Sequence, residues 1–577
     1  MNDDGARQPM IFLSRRIAAV PLALSLVLGA MPALAEPTPS GAYLAARHAS
    51  MSNDYDAARR YYVEALARDR DNTTLMENAL VAFVGMGDVE RSLPIARRLE
   101  GLDSSSQLAG LVMLTDRIAK GEFAEVVEAF DSGAEYSPLV DGLVHGWALL
   151  GAGRMSEATA RFESVTEARG MEAFGFYHKA LALAAVGDFE GADAALTDEE
   201  GNTRRISRSA LIAHAQILAQ LERGADAVAL LDQALRLGTD PEIAALRERI
   251  AAGAPVAYDF LTTPQQGVAE VYFSLASAVR GDASGAHTLL YARLAQHLRP
   301  DGVEILLLVA ELLESLGQHD LAVAAYRKVP QNHPAFYSAE IGRADALNRS
   351  GKPDAAIEVL SNLAKINADN PAVHIALGDA LRREERFAEA ARVYDDAIAT
   401  LPEPPQANHW FVYYSRGISN ERADDWDAAE ADFRKALELS PDQPLVLNYL
   451  GYSMVEKREN LDEAQEMIEK AVAARPEDGY ITDSLGWVRY RLGKFQEAVE
   501  PMERAVELEP VDPVVNDHLG DVYWMVGRKM EARFQWKRAL SFDPEEKEAK
   551  RIRRKLEVGL DAVLKEEGER SVSQNGD

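Results

Sequence analysis

The chain of 577 residues sets 62 Lys and Arg against 92 Asp and Glu, a formal charge of −30. That charge repels phosphate backbones and excludes a general nucleic-acid-coating role. Cysteine is absent, which excludes disulfide frameworks, thiolate metal sites, thiol nucleophiles and a lipid-modified cysteine.

In chain order, Arg15 and Arg16 come first, followed by an apolar run over residues 17–31 and the small-residue stretch Ala33-Leu34-Ala35. An apolar core of about fifteen residues containing Pro21 is short for a bilayer span, so residues 1–35 read as a cleavable secretory signal. No later stretch is apolar all round. The mature chain is therefore expected without a transmembrane span and outside the cytoplasm, in a Gram-negative periplasm.

The rest of the chain repeats. Pro476, Pro510 and Pro544 are 34 residues apart, as are Ala464, Ala498 and Ala532 until one inserted residue near Asn460 shifts the unit before them. Three consecutive units read Leu450-Gly451 with Ala464, Ile468, Ala471 and Pro476; Leu485-Gly486 with Ala498, Met502, Ala505 and Pro510; and Leu519-Gly520 with Ala532, Trp536, Ala539 and Pro544. Small residues let two antiparallel helices cross closely, bulky ones fill the gaps beside them, and proline begins the turn.

Upstream, Gly417 with Phe433 and Gly378 with Tyr394 keep the pattern, separated by the insertion Glu403-Pro404-Pro405-Gln406, a surface loop expected to change little in the stack. Ala344, Ala310 and Ala276 continue it. It pauses over residues 251–266, where a boundary is placed. Before that, units sit on Ala215, Ala180, Gly146 and Ala46, with weaker ones near Leu80 and residue 114. The polar stretch 199–209 reads as a long exposed turn without a functional role.

The 34-residue lattice resembles the tetratricopeptide repeat, which implies an all-α, right-handed superhelical solenoid. The length accommodates about fourteen helical hairpins at that period. The expected organisation is a degenerate solenoid over 36–250, a break over 251–266, a second solenoid over 267–544, a capping helix over 545–565 and a disordered tail over 566–577.

Phosphate-binding loops, nucleophile elbows and His-Glu-x-x-His are all absent from the sequence, and the eleven histidines share no helix face at metal-ligating spacing. An enzyme is not expected, and neither a metal nor any other cofactor is. The basic stretch Lys547, Lys550, Arg551, Arg553, Arg554 and Lys555 reads as a solvated face of the cap.

Function is expected in the groove lined by the first helix of each hairpin. By the inward positions of the resembled family, that groove presents Asn448, Tyr452 and Val455, then Asp483, Trp487, Tyr490 and Arg491, then Asp517, Asp521, Trp524 and Met525. Its acids imply neutral or basic guest segments. Residues 264–280, with Asn448-Tyr-Leu-Gly-Tyr452 and Asp483-Ser-Leu-Gly-Trp487, are similar to a bacterial envelope family of these repeats. One branch of that family is an adaptor lipoprotein that delivers cell-wall hydrolases to a carboxyl-terminal processing protease. The resemblance implies a periplasmic scaffold that binds envelope proteins; the alternative is a structural component of a secretion or polysaccharide-export assembly. The missing cysteine departs from the lipoprotein branch.

Overall fold

The computed structural model describes residues 39–568 apart from 103, 199–203, 205, 206, 237, 239 and 282. The expected signal over 1–35 and most of the expected tail lie outside the described residues.

Six hairpins form a first stack: α1 (Pro39–Met51) with α2 (Tyr55–Leu66), α3 (Thr73–Met86) with α4 (Val89–Glu100), α5 (Gln107–Ala119) with α6 (Phe123–Asp131), α7 (Pro138–Gly151) with α8 (Met155–Thr166), α9 (Glu172–Ala185) with α10 (Phe189–Leu196), and α11 (Arg208–Gln220) with α12 (Gly224–Leu235). A single helix, α13 (Pro241–Ala251), ends it. Eight hairpins follow: α14 (Pro264–Ala278) with α15 (Gly285–Leu298), α16 (Val303–Ser315) with α17 (His319–Tyr326), α18 (Phe336–Arg349) with α19 (Pro353–Ile366), α20 (Pro371–Arg383) with α21 (Phe387–Ala399), α22 (Trp410–Arg422) with α23 (Trp426–Leu439), α24 (Pro444–Lys457) with α25 (Leu461–Ala474), α26 (Gly479–Arg491) with α27 (Phe495–Leu508), and α28 (Pro513–Met525) with α29 (Lys529–Ser541). The terminal pair is α30 (Glu546–Val558) and α31 (Leu560–Glu566). No β-strand occurs among the described residues, and the fold is the all-α solenoid that the 34-residue spacing predicts.

Local chemistry explains the hairpins. Several helices start on a side-chain cap followed by proline, as at Asp240-Pro241, Asn370-Pro371 and Asp512-Pro513, where the Asp or Asn oxygen accepts from the first free backbone amides. The helices of a pair cross where a side chain is missing. A Cβ on Gly417 would lie 2.7 Å from the Phe433 ring, and one on Gly520 would lie 2.5 Å from the Trp536 ring. Both rings are fully buried.

Successive first helices, such as α18, α20 and α22 or α24, α26 and α28, pack against one another directly, whereas no comparable packing joins successive second helices. The stack therefore curves with its first helices on the inside.

The two stacks are not joined by a free linker. The expected break over 251–266 is instead a packed crossing: Val256, Phe260 and Leu261 are buried. Gln216 of α11 accepts from the amides of Asp259 and Phe260 at 3.1 and 3.0 Å, and donates to the Asp259 carboxylate at 2.7 Å. The chain then inserts α14 and α15 against the inner wall of the first stack, with α14 on α5, α7 and α9 and α15 on α3, α4 and α5. A Cβ on Gly267 would fall 2.2 Å from the Trp147 ring. Arg293 of α15, 5% exposed, donates to the Gly85 carbonyl at 3.0 Å, and Thr115 donates to the Tyr272 hydroxyl at 3.2 Å. One buried apolar cluster consequently runs from Tyr55 to Val412, across the expected boundary.

A second large cluster begins at Tyr413 and reaches Leu564. The division falls within α22, between Val412 and Tyr413, and not at the Glu403-Pro404-Pro405-Gln406 insertion. Helices α21 and α22 pack across that loop.

At the far end, the expected single capping helix is two, because Gly559 adopts φ 88° and ψ 158° between them, and the second reaches Glu566, into the expected tail. Glycine takes that left-handed geometry without a Cβ clash.

Candidate protein-binding face

The groove expected from the sequence sits on α24, α26 and α28, and the structure closes much of it. Trp487, 7% exposed, lies between Tyr490 and His518, with ring centroids at 4.7 and 4.0 Å, and its indole donates to Glu456 at 2.6 Å. Trp524 packs on Trp536 at 5.3 Å and donates to Asp561 of α31 at 2.9 Å. Trp487, Tyr490 and Trp524 are thus packing between repeats.

The acids are engaged as well. Asp483 bonds His518 at 2.9 Å. Burial opposes a charge on that imidazole, but Asp483, Asp517 and Asp521 outweigh it and raise its pKa. Lys555 of α30 is fully buried and donates to Asp517 at 2.8 Å and to Asp521 at 2.6 Å. Asp521 also accepts from the Trp536 indole at 2.9 Å. The cation expected from a guest is therefore supplied by the chain itself. The rest of the basic stretch is largely paired too: Arg551 with Glu567, Arg554 with Glu566 and Lys550 with Glu546.

Of the eleven groove residues expected from the sequence, Asn448, Tyr452, Arg491 and Met525 are half-buried rather than sealed. Burial, then the carboxylates of Glu456 and Asp483, keep the Tyr452 phenol protonated far above its ordinary range. The Asn448 side-chain oxygen is buried and has no hydrogen-bond partner among the described residues, an acceptor left for something else.

The open part of the inner wall lies further back, on α16, α18 and α20, where the sequence reading had named no groove residue. Glu311, Asp345 and Asp379 stand 34 residues apart, each on a first helix. Arg280 meets Glu311 at 2.9 Å, Arg349 meets Asp345 at 3.0 Å, Arg383 of α20 lies 3.9 Å from Asp345, and Arg382 meets Asp379 at 3.3 Å. Arg280, Arg349 and Arg383 are about half exposed. Such solvated pairs add little stability, so their charges remain available to a partner at small cost. The one signal that reveals this ladder in the sequence is the 34-residue spacing of its acids.

The wall of the first stack, in contrast, holds α14 and α15. The same kind of surface therefore already accommodates a helical hairpin within this molecule.

Residues 43–106, 278–335, 341–408 and 456–513 match the tetratricopeptide repeat family model. A TPR repeat-containing protein of Pseudomonas aeruginosa is 30% identical over 163 residues, which are 28% of this chain and 26% of that protein. Human tetratricopeptide repeat protein 13 is 28% identical over 171 residues, 29% of this chain and 19% of that one. The matched part thus spans about a quarter or less of these relatives. Among solved structures, the Cut9–Hcn1 hetero-tetramer of the APC/C is similar at 14% identity and a TM-score of 0.37, covering 90% of this chain and 96% of that one. Yeast Tom70 is similar at 14% identity and a TM-score of 0.35, covering 92% and 97%.

Proposed function

We propose that this chain, a tetratricopeptide repeat protein, is a non-catalytic scaffold of the bacterial envelope that holds segments of other proteins along the inner wall of its second stack. One observation carries the reading: the inner wall of the first stack is filled by α14 and α15, while among the described residues no such hairpin covers the corresponding wall on α16, α18 and α20, which bears the charged ladder Glu311, Asp345 and Asp379 with Arg349 and Arg383. Alternating charges on a curved wall select a guest by complementarity and fix its register.

The envelope location rests on Arg15, Arg16 and the apolar run after them. The adaptor role rests on the resemblance of residues 264–280 and of the Asn448–Tyr452 and Asp483–Trp487 stretches. A cell-wall hydrolase presented to a carboxyl-terminal processing protease fits both.

The test is a crosslinking pull-down from envelope extract with wild type and with Arg349→Glu/Arg383→Glu. Loss of at least tenfold in captured guest, at an unchanged melting temperature, is expected. Equal capture by both forms places binding elsewhere. Trp487→Ala does not serve here, because that ring is packing.

A further inference from the structure

Where α14 crosses the first stack it leaves a cavity of about 640 Å³, within the usual range for a small-ligand site. One side comes from α9, α11 and α13 and the other from α14, α16 and α18, so the cavity exists only because the two stacks dock. Its walls carry Phe174, Phe273, Leu307 and Leu308, and its depth carries Glu270 and Glu304. At the mouth, Ser277 of α14 and Ser338 of α18 are exposed.

The carboxyls in the depth determine what fits. Glu270 is 3% exposed and is met by hydroxyls rather than by a cation: Tyr177 donates at 2.9 Å and Ser274 at 3.4 Å. Glu304 bonds Arg208 and accepts from Ser209 at 2.8 Å. Arg208 also meets Asp240 at 2.6 Å and Glu242 at 2.8 Å, so its guanidinium is already shared among three acids and offers little to an anionic ligand. A purely apolar ligand leaves Glu270, which no cation meets, without a counter-charge.

We propose that this cavity binds a small amphipathic amine, whose ammonium pairs with Glu270 and Glu304 and whose aliphatic or aromatic body lies on Phe174, Phe273, Leu307 and Leu308. The cavity shares Arg280 and Glu311 with the first rung of the charged ladder, but Arg349 and Arg383, on which the protein-binding test turns, do not line it, so the two proposals are tested separately. The ammonium also gains from the aromatic faces beside it.

Proton linkage follows. Burial first, then the charge of Glu304, pushes Glu270 up to about 8 against the ordinary 4.5. The groups facing it are Tyr177 of α9, Tyr258 of the crossing, Glu304 of α16, Arg299 beyond α15 and Ser274 of α14. At neutral pH Glu270 carries its proton, and an arriving ammonium displaces it, so affinity rises as pH climbs toward 8.

The full chain is titrated with dansylcadaverine, with its N-acetylated neutral form and with dansyl-6-aminohexanoate, by fluorescence and by calorimetry in two buffers of different ionisation enthalpy. The amine is expected to bind saturably and at least tenfold tighter than either analogue, and to release close to one proton at pH 7. Glu270→Gln should weaken it at least tenfold, and Ser277→Trp, an exposed change at the mouth, should abolish it. If Glu270→Gln does not fold, the analogue series and Ser277→Trp decide the matter. Equal binding of the three probes, no saturable binding, or unchanged affinity in Ser277→Trp overturns the proposal.

Discussion

The two stacks are built from the same hairpin and present the same kind of inner wall, but among the described residues one is occupied and the other is free. In the first, α14 and α15 bury Tyr272 and Arg293 against α3, α5 and α7. In the second, α16, α18 and α20 display half-exposed charges. The difference teaches that an inner wall is not a binding site by virtue of its position: its availability depends on whether a distant part of the same chain already lies on it. The last repeats make the point again in miniature, since α30 uses Lys555 to occupy the acids that a guest had been expected to seek.

The sharpest way to break the comparison is Lys555→Met. It leaves Asp517 and Asp521 only the more distant Arg551 as an ion-pair partner, at 3.8 and 3.4 Å, and losing one partner of a buried ion pair costs roughly 3–5 kcal/mol. Hydrogen exchange should show α28 to α31 losing protection while α3 to α9 keep theirs; uniform loss would mean the two ends are one cooperative unit.

A pH series tests the occupied wall. Folded Glu270 keeps its proton up to about 8, whereas in the unfolded chain it ionises near 4.5. Between these values the folded state binds more protons, so this group's contribution to stability falls as pH rises and levels off above about 8. Glu270→Gln should flatten that slope in a series of melting temperatures from pH 5 to 9; an unaltered slope would assign it to other groups.

Gly267→Leu drives a side chain into Trp147 and should cost about 1–3 kcal/mol through overpacking. Its signature is faster proteolysis within residues 252–263, the crossing that α14 holds down. A smaller effect, about 1 kcal/mol, is expected for Thr115→Val, which deletes the hydrogen bond to Tyr272.

The smallest stability effect belongs to the free wall. Arg349→Glu/Arg383→Glu should change stability by about 0.5 kcal/mol or less, as exposed pairs do, and any larger loss would show that the ladder is structural.

The hairpins were readable because their determinants are local. Gly378 meets Tyr394 and Gly417 meets Phe433 sixteen residues on, within one repeat, and a period of 34 carries that relation along the chain. The candidate site was read less well for the opposite reason. Asp517 and Trp524 stand at inward positions of their helix, as the spacing implies, but Lys555 and Asp561 that engage them lie 38 and 37 residues away, beyond the repeat that the pattern describes. Arg208 fell in a stretch read as a functionless turn, because its partners Asp240, Glu242 and Glu304 come from two other helices.

Composition and periodicity alone therefore established an acidic, cysteine-free stack of helical hairpins, since helix pairing depends on side-chain size at short, regular separations. Docking of α14 and α15 into the first stack, and the cavity and the free wall that result, were settled only in three dimensions. Gly267 and Trp147 are 120 residues apart, and no period links a missing side chain to the distant ring that takes its place.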